Sequence, residues 1–272
     1  MKINKQKRLG QVFLKDQDIV QKIIQAAEIK SKDQILEIGP GKGVLTEPLL
    51  QTGAKITAIE KDPEMINFLQ EKFKDNSQLI LIQADIRDFL QNQESKNLKF
   101  KIKNYKVIGN IPYYLTSHLL RILLENPIKP SLIVLMLQKE VAQRIIAQPP
   151  KMNLLSVCVQ FYAKPEIIIY VPRTVFWPKP EVDSAVIKII PINTNENTDK
   201  MQIKTFFNVV KAGFRQPRKV LLNNIYYNLN IEKNKIKEIF EQLNIPINAR
   251  PQNLSVQNWI SLAQKLAFFL VN

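Results

Sequence analysis

Short apolar runs separated by longer amphipathic stretches dominate the first 190 residues of the chain. Runs of strand length fall at Gln34–Ile38, Lys55–Glu60, Leu79–Gln83, 106–109, 131–137, 156–161 and 185–190. Several are continuous in Ile, Leu and Val rather than alternating, the pattern of strands buried on both faces of a mostly parallel sheet. Helical stretches separate the first five runs. Pro63 stands at the favoured first turn of one, and Thr116-Ser117 offers capping hydroxyls to another, ahead of His-Leu-Leu-Arg-Ile-Leu-Leu. The alternation predicts an α/β architecture: a doubly wound, Rossmann-like sheet of seven strands, mostly parallel.

The pattern changes near residue 192. Residues 193–199 are polar and read as a linker. Beyond them the periodicity is helical only, over 203–214, 219–227, 232–243 and 256–270. The expected organisation is an α/β domain over 1–192 and a small, basic all-helical domain over 199–272. A polar, Lys-rich stretch at 91–103 reads as a loop between strands.

Composition narrows the function classes. No apolar run approaches the roughly 18 residues of a membrane span. The basic start, Met-Lys-Ile-Asn-Lys-Gln-Lys-Arg, lacks the apolar region and cleavage site of a secretory signal. Cys158 is the single cysteine and His118 the single histidine. An internal disulfide is therefore impossible, and a Ser-His-Asp triad or zinc site would depend on His118 alone. Cys158 reads as buried and inert within an apolar strand, and His118 as a helix-face residue. These features point to a reducing cytosol or an equivalent organellar compartment.

Lys and Arg total 39 against 24 Asp and Glu, a net charge of +15. A Lys- and Asn-rich coding bias contributes to that excess, but the charge is also clustered. Lys2, Lys5, Lys7, Arg8 and Lys15 precede the first acid, Asp16. Ten basic residues face three acids between Lys200 and Arg250. Clusters of this kind suit a polyanionic partner, a nucleic acid or, on charge alone, a membrane surface.

Three of the seven glycines fall within Glu37-Ile-Gly-Pro-Gly-Lys-Gly43, directly after the first run and before a helix. A turn without side chains lets backbone approach a ligand lying over the strand's carboxyl end. The spacing is G-x-G-x-G, not the dinucleotide G-x-G-x-x-G, and the P-loop frame around Lys42 is absent. A cofactor without a pyrophosphate fits better than NAD or ATP. Glu60 ends the second run, where an acid can accept from both ribose hydroxyls, and Asp85 follows the third, where a carboxylate can accept from an adenine amine. Each feature alone is an ordinary turn or strand end; the three together, at successive strand ends, mark one binding edge.

The fourth run ends in Gly109-Asn-Ile-Pro-Tyr113. An exocyclic amine of adenine is a poor nucleophile because its lone pair is delocalised. Two acceptors, the Asn110 side-chain oxygen and the Ile111 carbonyl, can orient it toward a methyl sulfonium. Pro112 would fix the turn and Tyr113 would stack on a base extruded from its helix. Downstream, Phe176-Trp-Pro-Lys-Pro-Glu-Val-Asp-Ser sets aromatics on a proline-stiffened loop: Phe176 would pack against that base, and for Trp177 the same role and that of a core aromatic in a proline-rich corner stay open.

These residues resemble the ribosomal RNA adenine N6,N6-dimethyltransferase family nearly end to end. The opening Lys7-Arg-Leu-Gly-Gln-Val-Phe-Leu14 is similar to the family's cofactor-covering loop at Gln11 and Leu14. Val12 departs from it, so a contact there falls to backbone. Residues 37–46, Glu60, Asp85, Asn110–Tyr113, 138–144, 176–186 and 214–224 match further blocks, and Pro217 stands where a basic residue is usual. The resemblance implies S-adenosyl-L-methionine as methyl donor, held by Gln11, Leu14, Glu37, Gly39, Gly41, Glu60, Asp85 and Asn110, with no metal. It implies RNA contacts at Arg215, Arg218 and Lys219. It also implies a cytoplasmic monomer, not a membrane protein, that acts on two adjacent adenines in the 3′-terminal hairpin of small-subunit rRNA within an assembling subunit. Competing readings are a large-subunit rRNA methyltransferase of the antibiotic-resistance type, a non-catalytic assembly factor, an oxidoreductase and a DNA adenine methyltransferase.

Overall fold

The computed structural model describes residues 12–91, 104–192 and 200–270. They form two compact units, Met1–Gln143 with Ala163–Pro191, and Arg144–Tyr162 with Ile192–Asn272. Gln11, the basic stretch before it, the 92–103 loop and the 193–199 linker lie outside the described residues. Among the described residues, no helix is long and apolar enough to cross a membrane.

The first unit begins with β1 (Phe13–Leu14) and α1 (Gln17–Ala26). It continues through β2 (Gln34–Ile38), α2 (Thr46–Gln51), β3 (Lys55–Glu60), α3 (Pro63–Lys72), β4 (Leu79–Gln83), α4 (Ile86–Gln91), β5 (Tyr105–Asn110), α5 (Thr116–Glu125) and β6 (Leu132–Gln138). After α6 (Lys139–Ile145) and α7 (Leu154–Tyr162) come β7 (Ala163–Val171), β8 (Phe176–Trp177) and β9 (Ser184–Pro191). A seven-stranded sheet has the order β4-β3-β2-β5-β6-β9-β7. Its first five strands are parallel; β9 runs antiparallel to both β6 and β7. From β2 the chain winds outward through β3 and β4, then returns to place β5 on β2's other side. The crevice between β2 and β5 is thus a topological switch point, where doubly wound sheets bind ligands.

Two elements differ from the sequence reading. Residues 156–161 are not a strand but the body of α7. Asn153 and Ser156 cap that helix reciprocally: the Ser156 N–H donates to Asn153 Oδ1 (3.1 Å) and the Asn153 N–H to Ser156 Oγ (2.8 Å). The run is apolar because α7 is buried, and a short apolar run carries no period that separates a strand from a buried helix. Cys158 accordingly lies on a helix and is only partly buried. The seventh strand is instead β7, in which Pro165 argues against a strand. As an edge strand paired with β9 alone, β7 tolerates a residue without an N–H.

The second unit adds α8 (Lys200–Gly213), α9 (Leu221–Leu229), α10 (Lys233–Gln242) and α11 (Val256–Ala267). Phe161 stacks on Phe206 at 4.1 Å, which explains why 144–162 groups with these helices. Trp259 is fully buried with its ring 5.3 Å from that of Phe214. Gly213 makes room for it: a Cβ there would meet Trp259 at 2.4 Å. The Asn224 amide closes the end of α8, donating to the carbonyls of Gly213 (2.7 Å) and Gln216 (3.0 Å).

Candidate active site

The carboxyl ends of β2, β3, β4 and β5 open onto one cavity. Leu14, Gly39, Gly41, Glu60, Asp85, Asn110, Ile111 and Pro112 all line it. Gly39 and Pro112, 73 positions apart, therefore share a wall, because parallel pairing brings their strand ends into register: Ile38 opposite Gly109, Glu60 opposite Gln83.

The glycine loop after β2 owes its path to left-handed backbone, with φ of +68° at Gly39, +55° at Gly41 and +79° at Gly43. An added Cβ on Gly41 would lie 3.1 Å from the Phe13 ring, and one on Gly39 would lie 3.5 Å from the Asn110 carbonyl oxygen. The loop after β2 thus abuts the motif that ends β5.

Glu60 anchors that loop. Its Oε2 accepts from the Gly41 N–H (3.1 Å), and its Oε1 accepts from those of Lys61 (2.8 Å) and Asp62 (2.9 Å). Burial raises its pKa, opposed by these three backbone hydrogen bonds. Asp85 is held from the other side. Arg87 binds it bidentately, Nε to Oδ1 at 2.9 Å and Nη2 to Oδ2 at 2.7 Å, and Lys61 reaches Oδ2 at 3.1 Å. The Arg87 guanidinium keeps the Asp85 carboxyl well below the usual range, so it stays ionised. Neither Lys61 nor Arg87 stood out in the sequence; the signal was their position, one residue past Glu60 and two past Asp85.

Asn110 is oriented by the chain's opening segment. Its Nδ2 donates to the Val12 carbonyl at 3.1 Å. That bond uses one of the two amide N–H groups and fixes the carboxamide at the cavity wall. The backbone of Val12 makes the contact its side chain does not.

Two expected site residues, Glu37 and Phe176, are placed otherwise. Glu37 does not line the cavity. It is 1% exposed beneath the glycine loop, with Oε2 accepting from Thr46 Oγ1 at 2.8 Å and Oε1 without a partner. Burial pushes its pKa up to about 8, the Thr46 hydrogen bond opposing and the nearby Glu60 charge adding to the rise. Phe176 is 4% exposed and belongs to the hydrophobic core with Leu14 and Val186, not to the cavity lining, while Trp177 is 44% exposed. The two face opposite ways because consecutive strand residues point to opposite faces. Of Tyr113 the structure describes the backbone, a 3₁₀ turn with Tyr114 and Leu115; its neighbour Tyr114 lines the cavity. In the second unit, Arg215, Arg218 and Lys219 are all exposed, as is Pro217.

The cavity suits the donor that the resemblance implies. A nucleoside with a ribose diol and an adenine amine would meet two acids there, Glu60 and Asp85, at adjacent strand ends. The glycine loop leaves no Cβ between backbone and ligand.

A family model described as ribosomal RNA adenine dimethylase matches residues 2–267. The chain is 39% identical over 261 residues to ribosomal RNA small subunit methyltransferase A of Dehalococcoides mccartyi (strain ATCC BAA-2100), covering 96% of this chain and 88% of that protein. Among solved structures it superposes on a dimethyladenosine transferase from Plasmodium falciparum with a TM-score of 0.78 and 28% identity, covering 94% and 98% of the two chains. The 23S rRNA methyltransferase ErmE shares the fold at a TM-score of 0.74 and 22% identity, covering 94% and 99%.

Proposed function

The chain belongs to the ribosomal RNA adenine dimethylase family, and from that premise we propose the reaction it performs and the residues that carry it. It is an S-adenosylmethionine-dependent rRNA adenine dimethyltransferase. Its substrate is small-subunit rRNA, at N6 of two adjacent adenines in the 3′-terminal hairpin. It acts as a cytoplasmic monomer within the assembling subunit.

The donor supplies a methyl group already activated by positive charge, so the protein's task is orientation and proximity. Glu60 accepts from the ribose hydroxyls, using lone pairs that the three backbone N–H groups leave free. Asp85 accepts from the donor's adenine amine. Asn110 Oδ1 and the Ile111 carbonyl take the two hydrogens of the target amine, drawing it toward tetrahedral geometry and aiming its lone pair at the cavity. Pro112 fixes that turn, and Tyr113 stacks on the extruded base. Exposed Arg215, Arg218 and Lys219 hold phosphates, which positions the enzyme without selecting sequence.

The observation that carries this reading is the abutment of the two motifs: the glycine loop at Gly39 lies within contact of the Asn110 backbone, and the Asn110 side chain is fixed by Val12 at the wall of the same cavity. The test is methyl transfer from labelled S-adenosylmethionine to unmethylated small and large ribosomal subunits, followed by nucleoside analysis. N6,N6-dimethyladenosine in small-subunit RNA alone is expected, with Asn110→Ala slowing transfer by about a hundredfold or more while donor binding persists. Label only in large-subunit RNA would reassign the substrate. Tight subunit binding without label would make the protein a non-catalytic assembly factor.

A further inference from the structure

We propose that Trp177, flanked by Lys15 and Lys42, is a stacking site for an unpaired RNA nucleotide adjoining the one that enters the cavity. The inference rests on the rRNA methyltransferase reading above and extends it to a second base.

Two short strands build the site. β1 pairs antiparallel with β8, Phe13 opposite Trp177 and Leu14 opposite Phe176. Strand alternation turns Phe176 into the core at 4% exposure and sends the Trp177 indole to solvent at 44%. The ring carries cations: Lys15 Nζ lies 5.8 Å from its centroid and Lys42 Nζ 5.9 Å. Lys42 also lies 5.1 Å from the Phe13 ring, and both Lys42 and Phe13 line the cavity. The indole therefore stands at the cavity rim.

An exposed indole loses apolar burial that a core position would provide. A single-stranded nucleic acid supplies what it lacks. Base–aromatic stacking covers the ring face, and the two ammonium groups neutralise the phosphates on either side. The reaction creates such a base, because extruding one adenine strips a stacking partner from its neighbour. Two bases then need holding: one at Asn110, the other on Trp177.

The test uses a fluorescein-labelled RNA hairpin with two adjacent adenines in its loop. Binding is read by anisotropy, donor affinity by calorimetry and methyl transfer on small subunits. Trp177→Ala is expected to weaken hairpin binding about tenfold, within the range of one missing base stack, and to raise the KM for RNA rather than lower kcat. Donor affinity should stay within about twofold, and Trp177→Phe should recover most of the deficit. Unlabelled hairpin should quench tryptophan emission of the unsubstituted protein, and that quenching should vanish in Trp177→Phe, since the remaining Trp259 is fully buried. This emission comparison decides the matter if Trp177→Ala fails to fold. Unchanged hairpin affinity in Trp177→Ala, or quenching that survives in Trp177→Phe, while the protein still methylates small-subunit RNA, would overturn the stacking site alone. Failure of the unsubstituted protein to bind the hairpin or label either subunit would overturn the methyltransferase reading and this proposal with it.

Discussion

Replacing Glu37 by Gln removes one ionisable group from beneath the glycine loop while keeping its shape. In the folded protein the Glu37 carboxyl titrates near 8, because burial disfavours the charge; Thr46 supplies one opposing hydrogen bond and the Glu60 charge adds to the rise. In the unfolded chain it returns to its ordinary value of 4.5. The raised folded value fixes the sign. Below pH 4.5 both states hold the proton and the contribution is fully present. As pH rises the unfolded chain releases its proton first, so stability is lost until the folded group also titrates near 8. The slope is about 1.4 kcal/mol per pH unit, with a ceiling of about 5 kcal/mol across the window. Urea denaturation at pH 5, 6, 7 and 8 measures it. The unsubstituted protein should lose stability steadily over that range, and Glu37→Gln should lose much less. The substitution has a pH-independent cost of its own, since the amide brings two N–H donors to a buried place that held one proton; the slopes therefore carry the test, not the absolute values. Parallel curves would refute the reasoning and mean that Glu37 is ionised in the fold, or reached by water.

The acids of the cavity, the second unit's packing and the phosphate contacts proposed for it give further tests. Glu60→Gln and Asp85→Ala should each weaken donor binding by about tenfold or more by calorimetry, the loss of a hydrogen bond to a charged group. Gly213→Ala should cost about 1–3 kcal/mol in denaturant unfolding, because its Cβ would meet the buried Trp259 ring at 2.4 Å and Leu221 at 2.8 Å. Arg218→Ala with Lys219→Ala should flatten the dependence of log Kd for RNA on log salt by roughly 0.7–0.9 for each phosphate no longer neutralised. An unchanged slope would move the phosphate footprint to another face.

The chain's apolar runs are enough to specify six of the seven sheet strands: five are largely buried, which writes their environment into consecutive residues, and the half-buried edge strand β4 keeps an apolar run as well. The glycine loop, Glu60, Asp85 and Asn110 are equally legible as the lining of one cavity, since each stands just where a run stops. Tertiary structure decided what depends on partners distant in sequence. Residues 156–161 are helical because Asn153 and Ser156 cap them and the aromatic cluster around Phe206 buries them; their local pattern suits a strand as well. β7 is a strand despite Pro165 because it lies at the sheet edge. Whether Phe176 or Trp177 faces outward depends on the register of β8 against β1, and a shift by one residue would exchange them. Glu37 sits next to the glycine loop in sequence but is buried, because its side chain points to one face of the sheet while the cavity lies beyond the strand ends. Asp85 acquires its Lys61 partner only when β3 and β4 align. Periodicity reports how deeply a residue is buried; pairing decides which face it shows and what it meets there.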